Sequence, residues 1–436
     1  MDGVSFEKIL LPFQNMEAGF EIVAITNANK STIKIKIKEV HMNKKFIIPI
    51  VICTIIIIAV ISTCVGKGSK IKLTWDAVPA PKETKDSIEL KVYVENSGSM
   101  DAYMCAGSNL KDAVFDYVSD LKRLTTSCSL YYINSKVIPF TGDLNTYIKN
   151  LTPQSFAKAG GNRTNTDLRQ IFDTIVKANG KQTVSIFISD CILDIPQNAI
   201  DFLGNYQISI KNTFNEALAK NPELGVEIIK LDSKFSGFWF CGHNREFLKD
   251  VKRPYYIWVI GNQRYLAEFN QKVPVENIIG GIKEYCAYAA PQKIPFDMSK
   301  STYVTNHSGK IHIELLVNLR GSLQSSNLYK NIAQYKSANP QQVAVASVEE
   351  ITATDSPYSH VVTLEISNPE TLKSETVSFS YPYLATWISN SDDTTGQNIK
   401  ENLDKTTGLM ALIKGVAEVY KNSTTYGSVS FELKNK

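Results

Sequence analysis

The sequence predicts an α/β protein: a doubly wound, mostly parallel sheet with helices on both faces, then an α+β or β-sandwich-like domain. A membrane helix is expected ahead of both. Three observations carry this reading. Short apolar strands alternate with amphipathic helices from Ile88 to about residue 290, the pattern of a sheet buried on both faces. From about Pro295 the apolar residues alternate with period two, as in Ile311/Ile313/Leu315/Val317, Val362/Leu364/Ile366 and Val429/Phe431/Leu433. That spacing marks strands wet on one face. Phe46 to Val65 runs without a charge, about the twenty residues that a bilayer core requires.

Lys44 and Lys45 precede the apolar run, as in a signal anchor or a secretory signal. Residues 42–65 are therefore expected either to stay as a transmembrane helix or to be removed. Ile61-Ser-Thr-Cys64 resembles a bacterial lipobox, which implies lipidation at Cys64, although Thr63 departs from the small residue usual there. In both cases the remainder is expected outside the cytoplasmic membrane, in the periplasm or at the cell surface. Residues 1–41 read either as an untranslated leader, because Met42-Asn-Lys-Lys begins like a signal sequence, or as a cytoplasmic tail.

Residues 66–86 are polar with Pro-Ala-Pro and are expected to form a stalk. The chain of 436 residues is 43% hydrophobic and 21% charged, which suits two or three folded domains. A net charge of +4 without a basic stripe gives no case for nucleic acid. Outside the membrane run and Cys64, five cysteines remain, an odd number that leaves at least one without a partner in the same chain.

Within the domain expected over 87–290, Ile88 to Val94 reads as a strand. Asn109 to Leu124 is a helix with Leu110, Val114, Tyr117, Val118 and Leu121 on one face. Strands at Cys128–Ile133 and Val137–Phe140 lie close enough for a hairpin. A helix at Asp167–Ala178 and a strand at Thr183–Ile188 follow, then a helix near Ile210–Lys220 and strands at Val226–Leu231 and Tyr255–Ile260. The domain expected over 295–436 has one helix, with Leu409, Leu412, Ile413, Val416, Val419 and Tyr420 at helical spacing. In a parallel sheet the working site lies at the carboxyl ends of the strands, where Glu95 and Asp190 fall.

Three pieces occur in order: Glu95-Asn-Ser97-Gly-Ser99, then Gly160-Gly-Asn-Arg-Thr164-Asn-Thr166-Asp, then Ile186-Phe-Ile-Ser-Asp190. Oxygens of this kind suit Mg²⁺ or Mn²⁺, with Ca²⁺ the roomier alternative. The set resembles the metal-ion-dependent adhesion site of the von Willebrand factor A domain, patterned DxSxS, Thr, Asp. The resemblance covers roughly residues 86–285. It implies a six-stranded, Rossmann-like sheet with one divalent cation at its edge. It also implies Ser97, Ser99 and Thr164 as hydroxyl ligands, Glu95 and Asp190 as the carboxylates, and a partner's acidic side chain completing the coordination. Two positions depart from the pattern: Glu95 replaces Asp, and Cys191 replaces the glycine usual after the last Asp.

The expected function is cation-dependent protein–protein binding by a membrane-tethered, non-enzymatic protein. One alternative is an exported metallohydrolase or phosphotransferase using the same oxygens, although the sequence has no GxSxG, HExxH or P-loop. The other is a scaffold subunit of an envelope complex with a vestigial metal site. His243 in Cys241-Gly-His-Asn suggests a metal or catalytic pair, but no second histidine lies nearby in sequence and it is not expected to act as one; Asp101 and Asp392-Asp393 are expected as solvated loop carboxylates, and Lys252-Arg-Pro as a charged loop entering a buried strand.

Overall fold

Apolar runs form most of the expected strands, but they do not pair as expected. The structure, a computed structural model, describes residues 6–9, 21–27, 30–36, 71–80, 86–164, 166–196, 199–299, 304–305, 309–353, 355–421 and 425–435. Among the described residues no helix is long and apolar enough to cross a membrane. The run 46–65 and Cys64 lie outside the described residues. Met1–Ser69 and Lys70–Lys436 form two compact units. In the first, strands β1 (Phe6–Ile9), β2 (Glu21–Asn27) and β3 (Lys30–Lys36) make an antiparallel sheet.

The second unit is mixed α/β. Its largest sheet comprises β5 (Glu89–Glu95), β6 (Ser127–Ile133), β7 (Val137–Phe140), β8 (Thr183–Ser189), β9 (Leu224–Cys241), β10 (Asn244–Asn262) and β11 (Glu284–Tyr288), in the order β11-β9-β10-β8-β5-β6-β7. Only β5/β6 and β5/β8 pair in parallel; the other four pairings are antiparallel. The expected mostly parallel, doubly wound sheet is therefore not what forms. The expected strands at Val226–Leu231 and Tyr255–Ile260 are the bases of one long hairpin, β9–β10, joined at Gly242-His243. Only Tyr256–Ile260 of β10 pairs with β8, so the hairpin overruns the carboxyl edge of β8 by roughly 35 Å at 3.3 Å per residue.

All seven residues of β8 are buried, each large apolar one contributing about 1.5–3 kcal/mol. Helices α1 (Leu110–Arg123), α2 (Leu168–Lys177), α3 (Ala199–Lys220) and α4 (Gln263–Lys272) accompany this sheet. The expected face of α1, from Leu110 to Leu121, is buried.

Two antiparallel sheets make up most of the rest. One contains β12 (Phe296–Met298), β13 (Val304–Thr305), β14 (Lys310–Val317), β16 (Val343–Glu350) and β17 (His360–Ser367). The other contains β4 (Ile71–Trp75), β15 (Tyr335–Ser337), β18 (Ser374–Ser380) and β21 (Thr425–Asn435). β4 belongs to the segment expected as a stalk; instead Ile71 to Trp75 pair with Asn435 to Phe431, and Val78 bridges Phe296.

The boundary expected near residue 290 does not separate the packing either. The expected helix α5 (Leu409–Tyr420) forms, but it lies on α3 so closely that a Cβ on Gly415 would come 2.8 Å from Gln207 O. Tyr420 donates its hydroxyl to Leu224 O at 2.8 Å. Just before it, β19 (Asp392–Asp393) and β20 (Thr406–Thr407) close a short parallel bridge, and Leu193 N–H donates to Thr407 O. Asp393 is buried, with Oδ1 accepting Thr395 and Gly396 N–H groups. It organises this strap rather than standing in solvent.

Candidate metal centre

β5 and β8 are parallel neighbours, so their carboxyl ends deliver Glu95 and Asp190 to one place. Both side chains are buried, at 3% and 2% exposure. Ser189 donates its hydroxyl to Glu95 Oε2 and accepts the Cys191 N–H at 2.8 Å. Burial pushes the Glu95 carboxyl up, and the Asp190 charge pushes it further, against the hydroxyls of Ser189 and Ser97. Burial also raises Asp190, against the Ser99 hydroxyl, the Ile192 N–H and the Arg253 charge. Two carboxyls coupled this way in a dry site do not both ionise without a compensating cation.

The turn after β5 sets the hydroxyl oxygens of Ser97 and Ser99 3.2 Å apart. Ser99 opens a 3-10 turn, Ser99–Met104, pinned by buried Met100 and Tyr103. Arg163 fastens the glycine-rich loop onto it, with Nε donating to Asn96 O at 2.8 Å and Nη2 to Asp101 at 2.5 Å. Asp101 is thus an ion-pair partner, not a solvated carboxylate. In that loop Gly161 has φ +80, and a Cβ there would fall 2.0 Å from Asn134 Oδ1, so no side chain fits.

Thr164 is exposed, and both its N–H and its hydroxyl donate to Asn162 Oδ1, at 3.0 and 2.8 Å. Those bonds hold it in its own turn. Thr166, two residues on, has its Oγ1 buried without a partner, and so does Asp190 Oδ2. Asp167 next to it caps α2 by accepting the Arg169 N–H at 3.0 Å. Thr164 Oγ1 keeps its lone pairs while it donates, so both threonines retain an oxygen able to meet a cation, and of the two only Thr166 Oγ1 is buried without a partner. The sequence offers two threonines two positions apart.

Cys191 adopts φ +55, a left-handed conformation that costs a residue with a Cβ about 1–2 kcal/mol. The buried thiol accepts the Trp258 Nε1–H at 3.3 Å, which holds it there. Arg253 is the residue that sequence reasoning missed. It is 1% exposed, and Nη1 donates to the carbonyls of Asn402, Leu403 and Lys405 at 3.1, 2.9 and 2.8 Å. Its Nε and Nη2 have no partner. The strap carbonyls lie about 150 residues along the chain, so no local signal announces them.

Beside the serine pair, a Cβ on Gly98 would meet the Phe240 ring at 3.8 Å. Phe238, Phe240 and Phe247 are exposed on the outer hairpin face, with Arg245 stacked 3.8 Å over Phe238. His243 is exposed in the hairpin turn.

Among the described residues no three His, Cys, Asp or Glu side chains gather as a metal cluster; the set here is two carboxyls with hydroxyls. An orphaned carboxylate oxygen, an orphaned threonine hydroxyl and a serine pair are hard donors that fit Mg²⁺ or Mn²⁺. The nearby Arg253 charge opposes such an ion. No family model, curated protein or solved structure matches the chain.

Proposed function

We propose that this chain is a binding protein that grips a partner through a divalent cation held at the carboxyl edge of β5 and β8, in the manner of a von Willebrand A-type adhesion site. The supporting observation is the buried, partnerless Asp190 Oδ2 beside the Ser97–Ser99 hydroxyl pair. Leaving such an oxygen unsatisfied costs about 1–3 kcal/mol, more if it is ionised, and an ion removes that cost. Glu95, tied to Ser189, acts through a bridging water. Thr166 takes the threonine role that the resemblance gives to Thr164. A partner carboxylate completes the shell. Residues 46–65 tether the chain to a membrane, with Lys70–Lys436 outside the cytoplasm. A vestigial site on a scaffold protein is the rival.

Titrating the full-length chain with Mn²⁺ and reading bound ion by electron paramagnetic resonance separates the two. We expect one bound Mn²⁺, lost in Ser97→Ala and Asp190→Asn, weakened in Thr166→Ala and unchanged in Thr164→Ala. Absence of bound Mn²⁺ in the folded protein, or a neutral Ser97→Ala, leaves the scaffold.

A further inference from the structure

The β9–β10 hairpin turns one apolar face inward and leaves another in water. Its register sets Phe238 opposite Phe247 and Phe240 opposite Arg245, so all four side chains leave the ribbon on the same side. Trp239 and Leu248, on the other side, are buried, whereas Phe238, Phe240 and Phe247 are 39%, 39% and 54% exposed. Apolar residues scattered singly over a surface need no explanation, but a contiguous group marks a place of contact.

Arg245 gives that group a charge. It is exposed, and its guanidinium carbon lies 3.8 Å from the Phe238 ring centroid and 5.6 Å from that of Phe240. The acids nearest in sequence are engaged elsewhere, Glu246 by Lys400 at 3.0 Å and Asp250 by Lys234 at 2.9 Å. Among the described residues no carboxylate forms an ion pair with Arg245. Stacking over a ring orients the planar fork and leaves its edge N–H groups free to hold a carboxylate in two parallel hydrogen bonds.

These features discriminate between occupants. The tip beyond the rings is Gly242-His243-Asn244, polar and exposed, so the hairpin offers a bilayer no apolar point to insert. A second copy in a symmetric contact would set this cationic face against itself. A segment of another protein with an acid beside an apolar side chain satisfies both the cation and the rings. The face also continues to the serine turn, where a Cβ on Gly98 would stand 3.8 Å from the Phe240 ring.

We propose that the outer face of the hairpin docks an acidic, apolar-rich segment of another protein. Its carboxylate sits on the Arg245 fork, and a neighbouring aromatic or aliphatic side chain lies on the rings of Phe238 and Phe247. The contact needs no ion, so it holds or fails independently of the Mn²⁺ titration.

Panning a phage-displayed library of random dodecapeptides against the immobilised full-length chain in EDTA tests this. We expect an enriched consensus that pairs Asp or Glu with a nearby large apolar residue. The enriched peptide, synthesised with a fluorescein label, should bind saturably by fluorescence polarisation. Arg245→Ala and, separately, Phe247→Ser should each weaken it by about tenfold or more. Thermal melts establish that the variants fold, and one that fails to fold is replaced by Arg245→Gln or Phe247→Lys. No enrichment, a consensus without an acid, or folded variants of both residues that bind like the wild type would overturn the docking surface. Displacement of the peptide by soluble dihexanoyl-phosphatidylserine as effective as by unlabelled peptide would assign the face to lipid instead. A dimer in sedimentation that is lost in Phe247→Ser would assign it to a second copy.

Discussion

The two halves of the seven-stranded sheet solve different problems. Around β5, β6 and β8 the strands are short, parallel and buried, and they end together, so their last residues gather Glu95 and Asp190 at one point. On the other side β9 and β10 are 18 and 19 residues long, antiparallel, and run on past that edge. A parallel arrangement concentrates polar groups at strand ends. A long hairpin instead builds a wall, whose inner face carries Phe235, Trp239 and Leu248 and whose outer face carries exposed phenylalanines. The wall brings to the site a residue no parallel strand would supply, Arg253.

That contrast can be broken most severely at Arg253. Arg253→Met removes the donor to three strap carbonyls and the charge beside Asp190. We expect a loss of about 3–5 kcal/mol, read by urea unfolding. A loss below about 1 kcal/mol would mean that the hairpin and strap are held by apolar packing alone.

A second test addresses the base of the hairpin through pH. Burial pushes Glu227 up from 4.5 to about 7, against hydrogen bonds from Asn270 and Tyr285. The unfolded chain releases this proton first, so the group's contribution to stability is full below about pH 4.5 and is lost as pH rises through about 7. The span amounts to about 3 kcal/mol. Glu227→Gln should narrow the difference between stabilities measured at pH 4.5 and pH 8 by that order; an unchanged difference would show the carboxyl to be better solvated than its burial implies.

Smaller effects probe the contact between the halves. Gly237 faces Ala102, and an added Cβ would lie 2.7 Å from the Ala102 Cβ. Gly237→Val should therefore cost about 1–3 kcal/mol by overpacking and loosen the turn that carries Ser99. On the outer face Phe238 and Phe247 meet edge to face at 5.2 Å. A double-mutant cycle to alanine should return a coupling of about 0.5–1.5 kcal/mol. A coupling near zero would mark these rings as held for a purpose other than hairpin stability.

The parallel half was largely legible. Ile88 to Val94, Thr183 to Ile188 and the α1 face announce themselves because burial on both sides leaves uninterrupted apolar runs and a clean helical stripe. Asp190 at a strand end follows from the same logic. The hairpin was not legible as one element, because Asp232 to Arg253 mixes charges with aromatics and only its inner face is apolar. Its turn signal, Gly242 with φ +58 between Cys241 and His243, was present in the sequence and was overshadowed by the pair of apolar bases. The proposal of Thr166 in place of Thr164 rests on the burial of one hydroxyl, which spacing does not encode. Arg253 and the strap of residues 391–408 depend on tertiary contact across some 150 residues.

The pairing of Ile71–Trp75 with the last strand has a consequence for how the protein is made. Strand β4 finds its partner only when Phe431 to Asn435 have left the ribosome, and α5, which lies on α3, arrives almost as late. Contacts of such sequence separation form slowly, and until then the growing chain holds an unpaired edge and an uncovered helix. The β4–β21 pairing and the docking of α5 are therefore expected among the last contacts that folding makes.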